Sequence, residues 1–523
     1  MALIITLFFV AFLSRFTMAL NAGADFDSYG HLYFAKEVKK QKTGPFGKIK
    51  INVVEAEDLR APFVWHWIVG LFNYEKTLQL QKWINPTLDA CYAMMIFLFA
   101  RWAGFNLHLS FLVSLLYLLT PMWFSRLSMG PRLRSFTPRL SFELITNIFF
   151  IVTVLPLSLP LWIIYLCGSL LIAFIVLSSK FSLQAILFLV PLTSLLALNP
   201  LPVYVMLLGF LLAIVVTKGR FFKTVNSQFS HLLWYFRKNI KGETVVSKRN
   251  NLSEFRKKLK SSHDPFWKIQ IILNQAIQIN SHTGLIIKMP IIFVGIFLYA
   301  MAMYRFANYP YAYLSAPVIS AVIIYILISL PPLLFLGEAE RYLNHVAFFI
   351  VAMATLLAKD LDLVWILYFV LGYGALYWAI ESFFLRRGSL LFGQKKLTDD
   401  NDKAIISNLI SIKHPLVVLS YPFHAVGVWR ILAETNHHVF YNVLMKKTSQ
   451  KTFERNFDAD YPFVKIEKLD EIASQYGVNY LIIDKNKLNA RGLKDWSPSK
   501  RWKRQNIGQP IYDVYQRFDT LSF

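Results

Sequence analysis

Long, nearly uncharged stretches alternate with polar links over the first three quarters of this chain. Apolar runs occupy residues 2-20, 84-101, 107-124, 141-157, 159-178, 181-197, 199-217, 285-303, 311-335, 345-359 and 362-384. A helix crosses about 30 Å of hydrocarbon with roughly 17 to 25 residues, so the pattern predicts about eleven transmembrane helices. Beyond residue 384 the period shortens to that of a water-soluble domain. Residues 416-420 read as a buried strand, 425-434 as a helix, 439-441 as a strand, and 469-476 as a helix running into a strand at 480-484. The expected fold is therefore an α-helical polytopic membrane protein, residues 1-384, followed by a small α/β soluble domain, residues 385-523.

Four polar segments, 21-83, 125-140, 218-284 and 385-523, interrupt or follow the apolar runs. With eleven helices, parity puts all four on one side of the membrane, together with Gly337-Glu338-Ala339-Glu340-Arg341-Tyr342. Within 218-284, apolar and basic residues mix around Phe229-Ser230-His231-Leu232-Leu233-Trp234. A helix lying at the headgroup level has that pattern, and so does a solvated basic loop. The first apolar run could serve as a cleaved signal peptide, but Arg15 lies inside it and no basic residue precedes it, which favours a retained helix.

Composition agrees with the pattern: 55% of the 523 residues are hydrophobic and 16% charged, with mean hydropathy +0.44. The formal charge of +24, from 55 basic and 31 acidic residues, resides in the connecting segments. In a membrane protein such basicity points to anionic headgroups and lipid-linked phosphates rather than to nucleic acid. Cys91 and Cys167 both fall inside predicted spans, which leaves no cysteine metal site and no disulfide framework.

Chemistry is concentrated at the membrane boundary, where ionisable groups are costly to hold. Directly after the first apolar run stands Asp25-Phe26-Asp27-Ser28-Tyr29-Gly30-His31. If a helix begins near Ser28, Asp25 and Asp27 precede its N-terminus, where the dipole keeps a carboxylate ionised, as a general base requires. The competing reading is that Asp27 is only an N-cap. His31 is a candidate base or ligand, with a structural histidine as its alternative. Further on, Glu57-Asp58-Leu59-Arg60-Ala61-Pro62-Phe63-Val64-Trp65-His66-Trp67 leads from charges into an aromatic-rich helix that also suits an interfacial belt.

An acidic motif after the first helix, followed by Pro62-Phe63-Val64-Trp65-His66-Trp67 along the membrane surface, resembles the GT-C glycosyltransferases, protein mannosyltransferases among them. Phe136-Thr137-Pro138-Arg139 with Glu143, and Glu338-Ala339-Glu340-Arg341-Tyr342, are similar to two further segments of that group. The resemblance implies a hexosyl- or pentosyltransferase that takes a sugar from a polyprenyl-phosphate donor. The acceptor would be a lipid-linked glycan, cell-surface polysaccharide or protein at the extracytoplasmic face of the cell membrane. It makes Asp27 the first choice for the base and Asp25 the second. Arg139 and Arg341 would bind phosphate, because a guanidinium donates two parallel hydrogen bonds and stays charged. His31, Arg60, His66, Glu340 and Tyr342 complete the candidates for substrate or phosphate binding.

Each arginine has a rival role: Arg341 could pair with Glu338 or Glu340, and Arg139 could be a snorkelling interfacial side chain. Some members of the group use a divalent metal, and Asp25 and Asp27 with Glu55, Glu57 or Glu340 could offer oxygen ligands to Mg²⁺ or Mn²⁺. Nothing in the spacing requires a metal. The alternative function is a lipid or polysaccharide transporter, in which the arginines guide an anionic headgroup. Against it, the halves of the chain differ and polar groups gather at one face instead of the bilayer midplane. The short loop bearing Arg126, Arg132, Arg134 and Arg139 argues for a cytoplasmic face by charge, whereas the resemblance argues for an outer one.

Overall fold

The computed structural model describes residues 2–19, 24–56, 63–125, 133, 135–240, 250, 255–256, 259–260, 265–305, 312–387, 396–423, 425–441, 464–507 and 510–517. The chain forms two compact units, one of residues 1–23, 62–65 and 75–393 and the other of residues 24–61, 66–74 and 394–523.

The second unit is built on a five-stranded sheet of order β2-β1-β3-β5-β4, from β1 (Val417–Tyr421), β2 (His438–Val439), β3 (Tyr480–Asp484), β4 (Trp502–Gln505) and β5 (Tyr512–Arg517). β1 pairs in parallel with β2 and β3, while β5 runs antiparallel to both β3 and β4. β1 and β3 are hydrophobic runs visible in the sequence, since strands covered on both faces need no polar alternation, whereas β2 is an edge strand that meets the expected strand 439-441 only at Val439. The antiparallel pair was not anticipated. β4 carries Lys503 and Arg504 and β5 alternates apolar with polar residues, so neither reads as an apolar run.

Residues 24–61 and 66–74 of the first polar loop belong to this unit, whereas the sequence grouped the whole loop with the membrane helices. Helix Phe26–Lys40 buries Leu32, Tyr33, Ala35 and Val38 on one face. That face meets helix Val428–Glu434, whose Trp429 ring lies 5.1 Å from Phe34. A Cβ on Gly30 would stand 3.2 Å from the Trp429 ring, so only glycine lets the two helices approach this closely without displacement. Val53 bridges Val439 in parallel, and Lys36 Nζ donates to the Ala433 carbonyl at 2.7 Å. An amphipathic helix shows from sequence that it needs an apolar partner, but not which partner it takes.

In the first unit every predicted apolar run contains a helix, yet proline shortens many of them. Pro160 caps Leu161–Val176, Pro200 caps Leu201–Val216, and the ninth run ends at a 3₁₀ turn, Pro331–Leu336. Among the described residues, Tyr74–Trp102, Ala312–Ser329 and Val364–Phe384 are long and apolar enough to cross a membrane. The number rises to five if each of two bent helix pairs is one crossing. The count of eleven, and the parity drawn from it, therefore remain expectations. Helix Arg220–Ile240, in the basic segment, packs its Phe236 edge-on against Phe335 at 4.9 Å.

One ion pair is sealed inside the helices. Arg15 Nε donates to Asp89 Oδ2 at 2.5 Å, Arg15 Nη1 donates to the Leu118 carbonyl at 2.7 Å, and Tyr117 donates its hydroxyl to Asp89. Both charged side chains are 0% exposed. Removing one partner strands the other charge in a medium that cannot solvate it. Asp89→Ala should cost about 3–5 kcal/mol of stability, whereas Arg15→Met with Asp89→Leu should recover most of it, as read by thermal unfolding in detergent. Equal losses in the single and double variants would show that the pair is not the source.

Candidate active-site residues

Helix Phe26–Lys40 begins two residues earlier than the sequence suggested, which changes the parts played by its two aspartates. Asp25 is the N-cap: its Oδ1 accepts from the Ser28 amide at 2.9 Å and from the Ser28 hydroxyl at 2.7 Å. The capping role considered for Asp27 thus falls to Asp25. Asp27 lies in the first turn with an exposed side chain, where the helix dipole favours its ionised form.

One turn beyond Asp27, His31 Nδ1 lies 2.8 Å from His66 Nε2, with the rings stacked at 5.1 Å and 21°. Phe34 meets His66 edge-on at 5.8 Å. A hydrogen bond between two imidazoles needs one nitrogen to donate and the other to accept, so at least one of these two nitrogens carries no proton. Burial pushes His31 down to about 4, against a smaller upward pull from Asp25. Arg60 lies outside the described residues, as does Glu57. Among the described residues no three His, Cys, Asp or Glu side chains converge as metal ligands.

In the other unit two arginines are each tied to a carboxylate. Arg139 opens helix Arg139–Val154, where its Nε donates to Glu143 Oε1 at 2.9 Å, one turn along the same face. Glu143 is 1% exposed, and its Oε1 also accepts from Asn344 Nδ2 at 3.2 Å. Asn344 Oδ1 in turn accepts from Trp123 Nε1 at 3.1 Å, and the Asn344 carbonyl accepts from Asn147 Nδ2 at 3.0 Å. This buried polar network ties Arg139 to the 338–345 segment. Asn147, Asn344 and Trp123 escaped sequence reading because their partners lie up to 221 residues apart.

Arg341 stands in the short helix Glu340–Asn344 and pairs through Nε with Glu338, one of the two glutamates considered as its partner. Its guanidinium carbon lies 5.1 Å from the centroid of the Phe181 ring, a cation–π contact. Glu340 is buried, and so is Tyr342, whose hydroxyl accepts from Gln184 Nε2 at 2.6 Å. Burial pushes the Tyr342 phenol up, so it stays neutral. Gly337 precedes this group with φ +107° and ψ −154°, a conformation open to glycine. The two arginines feel each other. Burial first, then the charge of Arg341, pulls the Arg139 guanidinium down, while Glu143 and Glu338 pull it back. Arginine's ordinary value is high enough that the guanidinium stays charged. Arg139 and Arg341 thus form, with Glu143 and Glu338, a cluster of two cations and two carboxylates.

No protein-family model and no curated protein sequence matches the chain. Solved structures do. The apo state of ArnT from Cupriavidus metallidurans superposes with a TM-score of 0.52 at 12% identity, covering 98% of this chain and 97% of that one. ArnT bound to undecaprenyl phosphate gives 0.50 at 13% identity, over 99% of both chains. The archaeal oligosaccharyltransferase AglB from Archaeoglobus fulgidus, in complex with an inhibitory peptide and a dolichol-phosphate, gives 0.51 at 10% identity, over 93% of this chain and 70% of that one. This chain has the GT-C fold. The expectation drawn from its boundary motifs is met for architecture.

The histidine couple carries a pH signature. A neutral His31 in the folded state, against an ordinary value of 6.5, means that unfolding takes up a proton between these values. Stability is therefore full above about pH 6.5 and lost as pH falls towards 4, by up to about 3 kcal/mol. Thermal unfolding of His31→Gln should show a flatter pH profile over that window than the parent. Parallel profiles would mean that His31 does not titrate there.

Proposed function

We propose that this protein is a GT-C glycosyltransferase of the cell membrane. It takes a sugar from a polyprenyl-phosphate donor and transfers it to a lipid-linked glycan, a cell-surface polysaccharide or a protein. The observation that carries this reading is the pairing of Arg139 and Arg341, each with its own carboxylate, on a fold shared with an ArnT that binds undecaprenyl phosphate.

In the reaction, an acceptor oxygen or nitrogen bonds to the anomeric carbon and the bond from that carbon to the donor phosphate breaks, its electron pair leaving with the phosphate oxygen. Negative charge grows on the departing phosphate, and the two guanidinium groups supply fixed positive charge for it. The acceptor's proton goes to Asp27, an exposed first-turn carboxylate whose ionised form the helix dipole favours. Asp25, committed to capping, serves to fix the start of that helix. Glu340 and Tyr342, buried in the segment that carries Arg341, support the position of its guanidinium.

Asp27→Asn keeps the shape and removes the basicity, so sugar transfer should fall by about 10²-fold or more while the protein still inserts. Turnover near the parent's would remove Asp27 from the reaction. Arg341→Lys retains the charge but not the planar fork, and should weaken binding of undecaprenyl phosphate, as should Arg139→Ala. Unchanged binding in both variants would make the arginines purely structural. A transporter would instead move lipid without forming any glycosylated product.

The reading also puts Arg139, Arg341 and the C-terminal domain outside the cytoplasm. A single cysteine at the exposed Ser411, with Cys91 and Cys167 replaced, should react with an impermeant thiol reagent in intact cells. Reaction only after the membrane is opened would reverse the orientation.

A further inference from the structure

The two arginine–carboxylate pairs differ in a way that simple phosphate binding does not require. Arg139–Glu143 is the buried pair, at 14% and 1% exposure, and Glu143 is held a second time by Asn344. Both of its residues lie on one continuous helix, so this carboxylate is fixed. Arg341–Glu338 is the open pair, at 27% and 18% exposure. Glu338 lies in the non-helical stretch between Pro331–Leu336 and Glu340–Asn344, directly after the positive-φ Gly337. Arg341 has a second restraint in the Phe181 ring, which holds the guanidinium whether or not the carboxylate stays.

We infer that Glu338 is a displaceable counter-ion that makes the site weigh the charge of a bound lipid phosphate, favouring a singly charged diester over a doubly charged monoester. The inference rests on the glycosyltransferase reading, in which the donor is a phosphodiester and the departing lipid a phosphomonoester. A diester carries one negative charge, and a monoester about 1.5 to 2 at neutral pH. With two cations and two carboxylates, the quartet of Arg139, Glu143, Arg341 and Glu338 is neutral before the lipid arrives. Swinging Glu338 aside lets a phosphate take its place on Arg341, but the displaced carboxylate remains nearby, and its field already reaches Arg139. Its repulsion scales with the charge on the lipid, so it acts most strongly on the spent carrier and promotes its release. Glu143, wedged under Asn344, keeps Arg139 in place through the exchange.

The test compares undecaprenyl phosphate with its methyl diester, binding to the full-length detergent-solubilised protein and to Glu338→Gln. Loss of one unit of repulsion should tighten the diester by about threefold, and the monoester, with nearly twice the charge, by about tenfold. Glu338→Ala removes the same charge without leaving an amide and should give the same order. Weaker or unchanged binding of both lipids in these variants would overturn the inference and make Glu338 a support for Arg341. Equal tightening of the two lipids would overturn it as well, since the effect would not follow charge. Failure of the unaltered protein to bind either lipid would overturn the phosphate site itself, a result distinguishable from the other two.

Discussion

Burying a charge among hydrocarbon side chains is tolerated only when a counter-charge and hydrogen bonds come with it, and this constraint organises the whole membrane unit. Arg15 satisfies it with Asp89 and the Leu118 carbonyl; Arg139 satisfies it with Glu143, which Asn344 then braces. The first pair fastens helix Ala2–Ala19 to helix Tyr74–Trp102. The second lies within helix Arg139–Val154, and Asn344, donating to Glu143, fastens that helix to the segment that carries Arg341. Because Glu143 is bonded both by Arg139 on its own helix and by Asn344 from another element, helix packing fixes where the Arg139 guanidinium lies.

The two pairs also show why similar chemistry serves different ends. Arg15–Asp89 is wholly enclosed, so its effect is on stability and on which helices associate. Arg139 and Arg341 keep 14% and 27% of their side-chain surface, enough for a ligand to reach them. Exposure, more than residue type, separates a structural ion pair from a candidate binding site. The same contrast holds between Asp25, engaged as a cap, and exposed Asp27.

Much of this was legible in the sequence where the signal is local. The apolar runs, strands β1 and β3, helix Leu469–Tyr476 and the boundary motifs around Asp27, Arg139 and Arg341 all follow from composition and spacing over a few residues. What escaped depends on partners distant in the chain. Asp89 looked like an ordinary residue of an apolar run until Arg15, 74 positions away, met it. Nothing within residues 24–56 announces that Trp429 covers Gly30 or that Val53 bridges Val439. Strands β4 and β5 were missed because one face of an antiparallel pair is polar, and helix Phe26–Lys40 was started late because either aspartate could have capped it.

The account stands on the claim that Arg139 and Arg341 receive a lipid phosphate. An electron cryomicroscopy structure of the full-length protein in lipid nanodiscs with undecaprenyl phosphate tests it most directly. The account predicts phosphate density within hydrogen-bonding distance of both guanidinium groups, with Arg139 still joined to Glu143. Lipid phosphate resolved elsewhere, with both arginine–carboxylate pairs intact and no density between them, would contradict it.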